Sequence, residues 1–385
     1  MEGPTALKNS ELYLFHSGAP PEQQYVDGLA ELVAAAEQRM TALGLGSFAT
    51  DVTMRNPRRE PRNTDNLVAA YSRALLRQGQ QNAKLIALDA DLIKDCGLID
   101  FSKAYPERFV ECGIAEQDMV SMACGMAHQG ALPVVHSFAC FLSARPNEQI
   151  YNQCSESSKV IYVGSLAGLL PGGPGHSHQC VRDISALGGV PNLLIVEPSS
   201  EAEVDALFDH LVNAATESAY LRLVSVKWPL PFAYGANAVQ QGRGWVVREG
   251  TDVVIFGYGP WLLSNAWEAA EVLARDAISV RLVNLPWLNR VDPAWLKDTI
   301  GGCRTVVTLD NHYLAGGQGE MLGAAIAALG IEPAVRVTAI GVSELPECGT
   351  NDEVLGYHGL DVAGLVAQVR LALDKLRPGR VPQPA

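Results

Sequence analysis

Four side chains that could bind a planar ligand or move protons follow the ends of apolar strands. Glu116 falls in the first turn of a predicted helix, just after a strand that ends at Cys112. In open α/β sheets this crevice binds ligands, although an acid there can also simply complement the helix N-terminus. Phe138 and Phe141 follow another strand and could enclose a flat ring, or could be ordinary core residues. His178 lies in a glycine-rich loop and could act in proton transfer.

The elements that must position these residues alternate regularly along the chain. Short Val- and Ile-rich runs, each followed by a helical stretch, indicate βαβ units and a mainly parallel sheet. Among the predicted elements are a helix near 140–154, a strand at Leu193–Val196, a helix at Pro293–Ile300 and a strand-to-helix turn at 310–320. A turn-rich stretch around residues 234–244 separates two such series. We therefore predict two tandem three-layer α/β domains, at residues 62–235 and 245–385. Residues 1–61 are predicted to be an extension with a helix at about 22–43 and a linker.

Composition excludes several classes of function. The net charge of −13 disfavours binding to nucleic acid or to an anionic membrane surface. No apolar run approaches the roughly 20 residues of a membrane span, and the first residues lack the features of a signal peptide. The eight cysteines show no CxxC spacing, which indicates reduced thiols in a cytoplasmic enzyme.

Several motifs together resemble the transketolase family. The string Gly-Ile-Ala-Glu-Gln-x-Met (113–119) is similar to the segment at which transketolases and their relatives hold the aminopyrimidine ring of thiamine diphosphate. Further similar segments follow the family order: 87–92 (Ala-Leu-Asp-Ala-Asp-Leu), 105–109 (Tyr-Pro-Glu-Arg-Phe), 137–145 (Ser-Phe-Ala-Cys-Phe-Leu-Ser-Ala-Arg) and 173–179 (Gly-Pro-Gly-His-Ser-His-Gln). The resemblance covers about residues 62–345.

The resemblance implies a cofactor site in the first domain. Glu116 would contact the pyrimidine ring nitrogen of thiamine diphosphate and share a proton with it. Phe138 and Phe141 would stack on and surround the ring, and Asp91 and Ile114 would line the same site. The cofactor would act as the electron sink for carbon–carbon bond cleavage.

Three further residues are expected on the substrate side. His178, the His before Gln, would face the substrate and assist proton transfers. His176 has no family counterpart and is either a substrate contact or an ordinary loop residue. Arg145 matches an Arg frequent in short bacterial members, but it could equally form a helix salt bridge with Glu148.

A missing motif predicts a partner. In this family the cofactor's pyrophosphate and its Mg²⁺ (or Ca²⁺) are held through Gly-Asp-Gly, which occurs nowhere in this sequence. The chain resembles the carboxyl-terminal half of transketolase, the pyrimidine-binding domain plus the C-terminal domain. A separate polypeptide would carry the pyrophosphate- and metal-binding half, in an α2β2 assembly.

Several substrate-binding positions depart from sugar-phosphate transketolases. Leu166 replaces a His, Pro174 replaces an acid, and Asp95 aligns near a Ser/Thr that helps hold the acceptor phosphate. Lys227 is the nearest cation where the family has a phosphate-pairing Arg. Because an acid repels a phosphate oxygen, we expect a substrate without the usual phosphate, or a charge handled by the partner.

The favoured hypothesis is a subunit of an enzyme that transfers a two-carbon ketol or acyl unit from a ketose or 2-oxo donor to an aldehyde. Two alternatives remain open on the sequence. One is the beta subunit of a 2-oxo-acid dehydrogenase, and the other is a non-catalytic regulatory subunit.

Overall fold

The computed structural model describes residues 22–46, 64–234 and 239–374, which form helices and two mainly parallel sheets. The predicted α/β class is therefore confirmed. The chain divides into two compact units, residues 1–61 and 62–385. In the first unit the described residues form one helix, α1 (Glu22–Ala42), which matches the predicted helix at 22–43. The predicted linker falls mostly outside the described residues.

The first domain of the second unit is built around a six-stranded sheet. Its elements are, in chain order, β1 (Thr64–Asp65), α2 (Leu67–Gln81), β2 (Leu85–Asp89), α3 (Ile99–Ala104), a 3-10 turn (Pro106–Arg108), β3 (Phe109–Glu111), α4 (Glu116–His128), β4 (Leu132–Phe138), α5 (Ala139–Leu142), α6 (Asn147–Ser155), β5 (Ile161–Ser165), α7 (Asp183–Leu187), β6 (Leu193–Val196), α8 (Glu201–Asn213), β7 (Ser218–Leu223) and β8 (Trp228–Pro229). The strand order is β3–β2–β4–β5–β7–β6, and all neighbours are parallel.

This strand order determines where a ligand should bind. The chain passes from β2 to β3 on one side of the sheet and from β4 to β5 on the other, so the topological switch point lies between β2 and β4. Ligands of open α/β sheets bind beyond the carboxyl ends of strands at such a point. Every residue of β4 and β5 is buried, as expected for parallel strands covered on both faces. The strands thus form a rigid base for the residues that follow them.

The second domain repeats the alternation with one antiparallel edge strand. Its elements are β9 (Trp245–Arg248), β10 (Val253–Gly257), α9 (Pro260–Ala274), β11 (Val280–Asn284), α10 (Pro293–Ile300), β12 (Thr305–Tyr313), α11 (Gln318–Ala328), β13 (Arg336–Val342), α12 (Asn351–Tyr357) and α13 (Val362–Asp374). The sheet order is β13–β12–β10–β11–β9, and only β9 runs antiparallel to its neighbour in this sheet.

Two predicted elements differ from those in the structure. A single helix near residues 140–154 is expected from the sequence, but the structure has α5 and α6 with a break between them. Pro146 explains the break, because a proline disfavours helical conformation in the residue before it. The turn predicted at 310–320 is shorter in the structure, because residues 310–313 extend β12. His312 in this extension is buried and accepts a hydrogen bond from the Ser185 amide at 3.3 Å.

No helix among the described residues has both the length and the apolar character to cross a membrane. The eight cysteines form no disulfide in the structure.

Candidate active site

Glu116 lies at the carboxyl edge of the first sheet, where α4 begins. Only 2% of the residue is exposed. Its Oε1 accepts a hydrogen bond from Arg145 Nη1 at 2.5 Å and another from Ser137 Oγ at 3.3 Å. Ser137 belongs to β4, which borders the switch point. The carboxyl group is therefore held between two elements beside the expected ligand crevice.

Three rings form a cluster next to this carboxyl group. The ring centroids of Phe138 and Phe141 are 5.8 Å apart, and the His178 ring lies 5.9 Å from the first and 5.4 Å from the second. Phe138 is buried, whereas Phe141 and His178 are partly exposed. Residues from β4, α5 and a distant loop thus form one wall. Such a wall can receive a planar ring and present an imidazole beside it.

Arg145 connects the acid to the rings. Its guanidinium carbon Cζ stacks over the Phe141 ring at 4.0 Å from the centroid, while Nη1 pairs with Glu116. The sequence left open whether Arg145 pairs with a neighbour such as Glu148. The structure brings it to Glu116, 29 residues away. Stacking and a hydrogen bond together fix the direction of the guanidinium.

The remaining predicted residues are placed less centrally. Ile114 lies two residues before Glu116 and is 67% exposed. Asp91 follows β2 with a left-handed φ of 62°, and its amide donates to Glu111 Oε1 at 2.9 Å. His176 is exposed, and among the described residues no ring contact joins it to the phenyl pair. The structure therefore brings together the predicted residues Glu116, Phe138, Phe141, Arg145 and His178. Asp91 and Ile114 lie in the turns that follow β2 and β3, and His176 is exposed in the loop before His178.

The loop that carries His178 is closed by its own backbone and by the second domain. Gly168 and Cys180 exchange backbone hydrogen bonds at 3.1 and 2.9 Å. The Gln179 side chain donates to the carbonyls of Leu169 and Glu347 at 3.1 and 3.0 Å. Gly168 has a φ of +80°, and a Cβ there would lie 2.8 Å from the Asn311 amide. Close packing of the two domains thus positions His178.

Beneath this loop lies a buried charge network that the sequence did not predict. Arg222 of β7 is fully buried and donates to Asp183 from Nε at 2.8 Å and from Nη2 at 3.1 Å. It also bonds to Glu197, to Asn311 of the second domain at 3.0 Å and to the Cys180 carbonyl at 3.3 Å. The network therefore links the loop, the first sheet and the second domain.

The network shifts the pKa values of its carboxyl groups in opposite directions. Burial raises the pKa of Asp183, but the charges of Arg222 and His312 and the hydrogen bonds from Arg222 and Tyr220 together outweigh burial, so the pKa lies below its ordinary value. Burial raises the pKa of Glu197 to about 7, with Arg222 opposing the rise. Because Arg222 is enclosed by these partners, it is not available to pair with a substrate phosphate.

A second pair of acids supports the turns on either side of the site. Asp89 and Glu111 are register partners at the ends of β2 and β3. Glu111 Oε1 accepts from the amides of Asp91 and Gly113 at 2.9 and 2.8 Å, so one carboxylate holds both turns. Asp89 is fully buried, and its Oδ2 accepts from the Leu92 amide at 2.8 Å. Burial, with the nearby Glu111 charge, raises the pKa of Asp89 to about 8.

This pKa predicts how stability depends on pH. The unfolded chain ionises Asp89 near its ordinary pKa of 3.8, whereas the folded chain keeps the proton up to about pH 8. Between these values the folded state holds more protons, so the contribution of Asp89 makes the free energy of unfolding fall as pH rises. Asp89→Asn should remove this decline, because an amide can accept from Leu92 and donate to Glu111 without a charge. We expect the variant to be more stable than the native chain by about 1–3 kcal/mol near pH 8.5.

Urea unfolding at pH 4, 6 and 8.5 measures this effect. Asp100→Asn, at an exposed position of α3, serves as the control and should match the native chain at each pH. An Asp89→Asn variant that loses stability with rising pH as steeply as the native chain would refute the assignment.

Family models match both domains. The transketolase pyrimidine-binding domain matches residues 66–224, and the transketolase C-terminal domain matches residues 242–365. The transketolase family protein y4mN of Sinorhizobium fredii is 32% identical over 80% of this chain and 89% of its own length.

Longer relatives and a solved structure support the same family assignment. The 1-deoxy-D-xylulose-5-phosphate synthase of Carboxydothermus hydrogenoformans is 30% identical over 86% of this chain and 52% of its own length. The chain thus spans about half the length of such relatives. A solved structure described as a split gene transketolase, inactive beta4 tetramer, is 31% identical with a TM-score of 0.73, over 81% of this chain and all of that chain. The chain therefore belongs to the transketolase family, of which it carries the pyrimidine-binding and C-terminal domains.

Proposed function

We propose that the chain is the beta-type subunit of a two-chain, thiamine-diphosphate-dependent enzyme that transfers a two-carbon ketol or acyl unit between a ketose or 2-oxo donor and an aldehyde acceptor. The observation that carries the proposal is the buried Glu116 carboxyl group beside the rings of Phe138 and Phe141, at the switch point of the pyrimidine-binding domain. An acid next to an aromatic wall is the donor set that an aminopyrimidine requires.

When bound, thiamine diphosphate supplies an electron sink for cleaving and forming carbon–carbon bonds. The chain's own residues would prepare that site. Glu116 would hold a proton at the pyrimidine ring nitrogen, while Arg145 and Ser137 fix the carboxyl group in place. The two phenyl rings would orient the pyrimidine and exclude water from one side. His178, at the edge of the same wall, would move a proton at the substrate oxygen.

A second polypeptide is required by this proposal. The chain has no Gly-Asp-Gly, and the similar solved structure is described as a split gene transketolase, inactive beta4 tetramer. We propose that a separate N-terminal-half subunit holds the pyrophosphate and Mg²⁺ (or Ca²⁺), in an α2β2 complex. The extension at residues 1–61 would then contact that subunit.

Co-expression with a candidate N-terminal-half chain from the same genome tests the proposal. The purified complex should cleave ketoses or 2-oxo acids only with thiamine diphosphate and a divalent cation present. Either chain alone should be at least about a hundredfold slower, since each half lacks one end of the cofactor site. A lone chain as active as the complex, or a complex that needs no thiamine diphosphate, would overturn the proposal.

The same assay tests the substrate class. Asp95 and Pro174 stand where sugar-phosphate enzymes of the family have a phosphate contact and an acid, so we expect non-phosphorylated donors and acceptors to have the higher kcat/KM. Matched pairs, such as xylulose with xylulose 5-phosphate and glyceraldehyde with its 3-phosphate, give the comparison. A tenfold or greater preference for the phosphorylated members would show that the expectation is wrong.

A further inference from the structure

Cys124, His128 and Glu156 place a sulfur, a nitrogen and an oxygen close together on the surface of the first domain. Cys124 and His128 are four residues apart on α4 and therefore lie on one face of that helix. Glu156 is the residue that follows α6. Its Oε2 lies 2.8 Å from His128 Nε2 and 3.4 Å from Cys124 Sγ. One ligand atom from each residue lies within 4.8 Å of the other two.

The two contacts are hydrogen bonds in the metal-free chain, and they already hold the three ligand atoms near the spacing that a metal ion imposes. A tetrahedral zinc ion, with bonds of about 2.0–2.3 Å, separates its ligand atoms by about 3.3–3.6 Å. Small rotations of the three side chains would bring them to that spacing. A surface ion pair explains the His128–Glu156 contact, but it does not require a thiol directed at the same carboxylate oxygen.

We propose that Cys124, His128 and Glu156 form a zinc site that fastens the C-terminal end of α4 to the end of α6. Cysteine, histidine and glutamate are the ligand types that Zn²⁺ prefers, and three protein ligands leave a fourth position for water. The side chains of His128 and Glu156 are 46% and 56% exposed, so an ion can enter directly from solvent. This proposal does not depend on the proposed enzymatic function.

Zinc binds a cysteine as the thiolate, so binding must displace the Cys124 thiol proton. Zinc binding should therefore become weaker as pH falls.

The position of the site suggests what the ion would do. Helix α4 has 13 residues, about 18 Å at 1.5 Å per residue, and it begins at Glu116. Helix α6 begins two residues after Arg145. The Glu116–Arg145 pair connects α4 and α6 near their N-terminal ends, and zinc would connect the same two helices near their C-terminal ends. The ion would hold the two helices in a fixed relation.

Zinc titration of the chelator-treated full chain tests the proposal. We expect one equivalent to bind, and Co²⁺ in its place to give thiolate charge-transfer absorption and the visible bands of a four-coordinate ion. Cys124→Ser should abolish the charge-transfer band and weaken zinc binding by more than about a hundredfold. Glu156→Gln should weaken it to a smaller degree. Zinc should also raise the thermal midpoint of the native chain but not that of Cys124→Ser.

Two control variants separate this site from nonspecific binding. Cys348→Ser removes another exposed thiol, and His176→Ala removes another exposed imidazole. Both should bind zinc as the native chain does. The proposal is overturned if Co²⁺ bound to the native chain shows no thiolate band, or if Cys124→Ser binds zinc as tightly as the native chain. Circular dichroism of each variant confirms that the fold is retained.

Discussion

Replacing Glu116 with glutamine is expected to lower the turnover of the two-chain complex by about a hundredfold or more. Glutamine has nearly the same shape, and its amide oxygen can still accept from Arg145 and Ser137, so the fold and the thermal midpoint should change little. Only the ability to hold and release a proton at the cofactor ring is lost. The effect should therefore fall on kcat more than on the KM for substrate.

Asp118→Asn provides a matched control for this variant. Asp118 lies in the first turn of the same helix, but its side chain is exposed and it is not part of the ring cluster. Steady-state turnover and thiamine diphosphate binding should both match the native complex. If Glu116→Gln retained activity within a few-fold of the native complex, Glu116 would not be the proton-sharing acid, and the proposed cofactor site would be wrong.

The second large effect is expected for Arg222→Met, which should lower the free energy of unfolding by about 3–5 kcal/mol. Arg222 makes five hydrogen bonds, to two carboxylates, one amide and one carbonyl, with no exposure to water. Methionine fills a similar volume but leaves Asp183 and Glu197 buried without a cation. Urea unfolding, followed by tryptophan fluorescence and by circular dichroism, measures the loss.

Two further variants show whether charge is the cause. Arg243→Met breaks an exposed pair with Asp292 (2.8 Å, Arg side chain 43% exposed) and should cost less than about 1 kcal/mol. Adding Asp183→Asn to Arg222→Met should restore part of the lost stability, because one uncompensated buried charge is removed. Equal losses for Arg222→Met and Arg243→Met, or no recovery in the double variant, would argue against a buried ion network as the source of stability.

The local pattern of apolar and turn residues was enough to predict most of the helices and strands. Predicted bounds such as Pro293–Ile300 and Leu193–Val196 agree with α10 and β6, because apolar periodicity and flanking turn residues are properties of neighbouring positions. Weaker patterns were missed. Edge strand β9 is only half-buried, and short helices such as α7 and α12 span five and seven residues, too few for a clear period.

The sequence by itself determined the α/β class, the family and the location of the candidate site, because these depend on short contiguous segments such as 113–119 and 137–145. The tertiary structure alone decided which side chains meet. Arg145, which lies between α5 and α6, forms a hydrogen bond with Glu116. Arg222 forms hydrogen bonds with residues between positions 180 and 197 and with Asn311 in the other domain. The physical reason is that strand order and domain packing bring together residues that are tens of positions apart. A local sequence pattern does not indicate which buried charged residues will be neighbours in the folded chain.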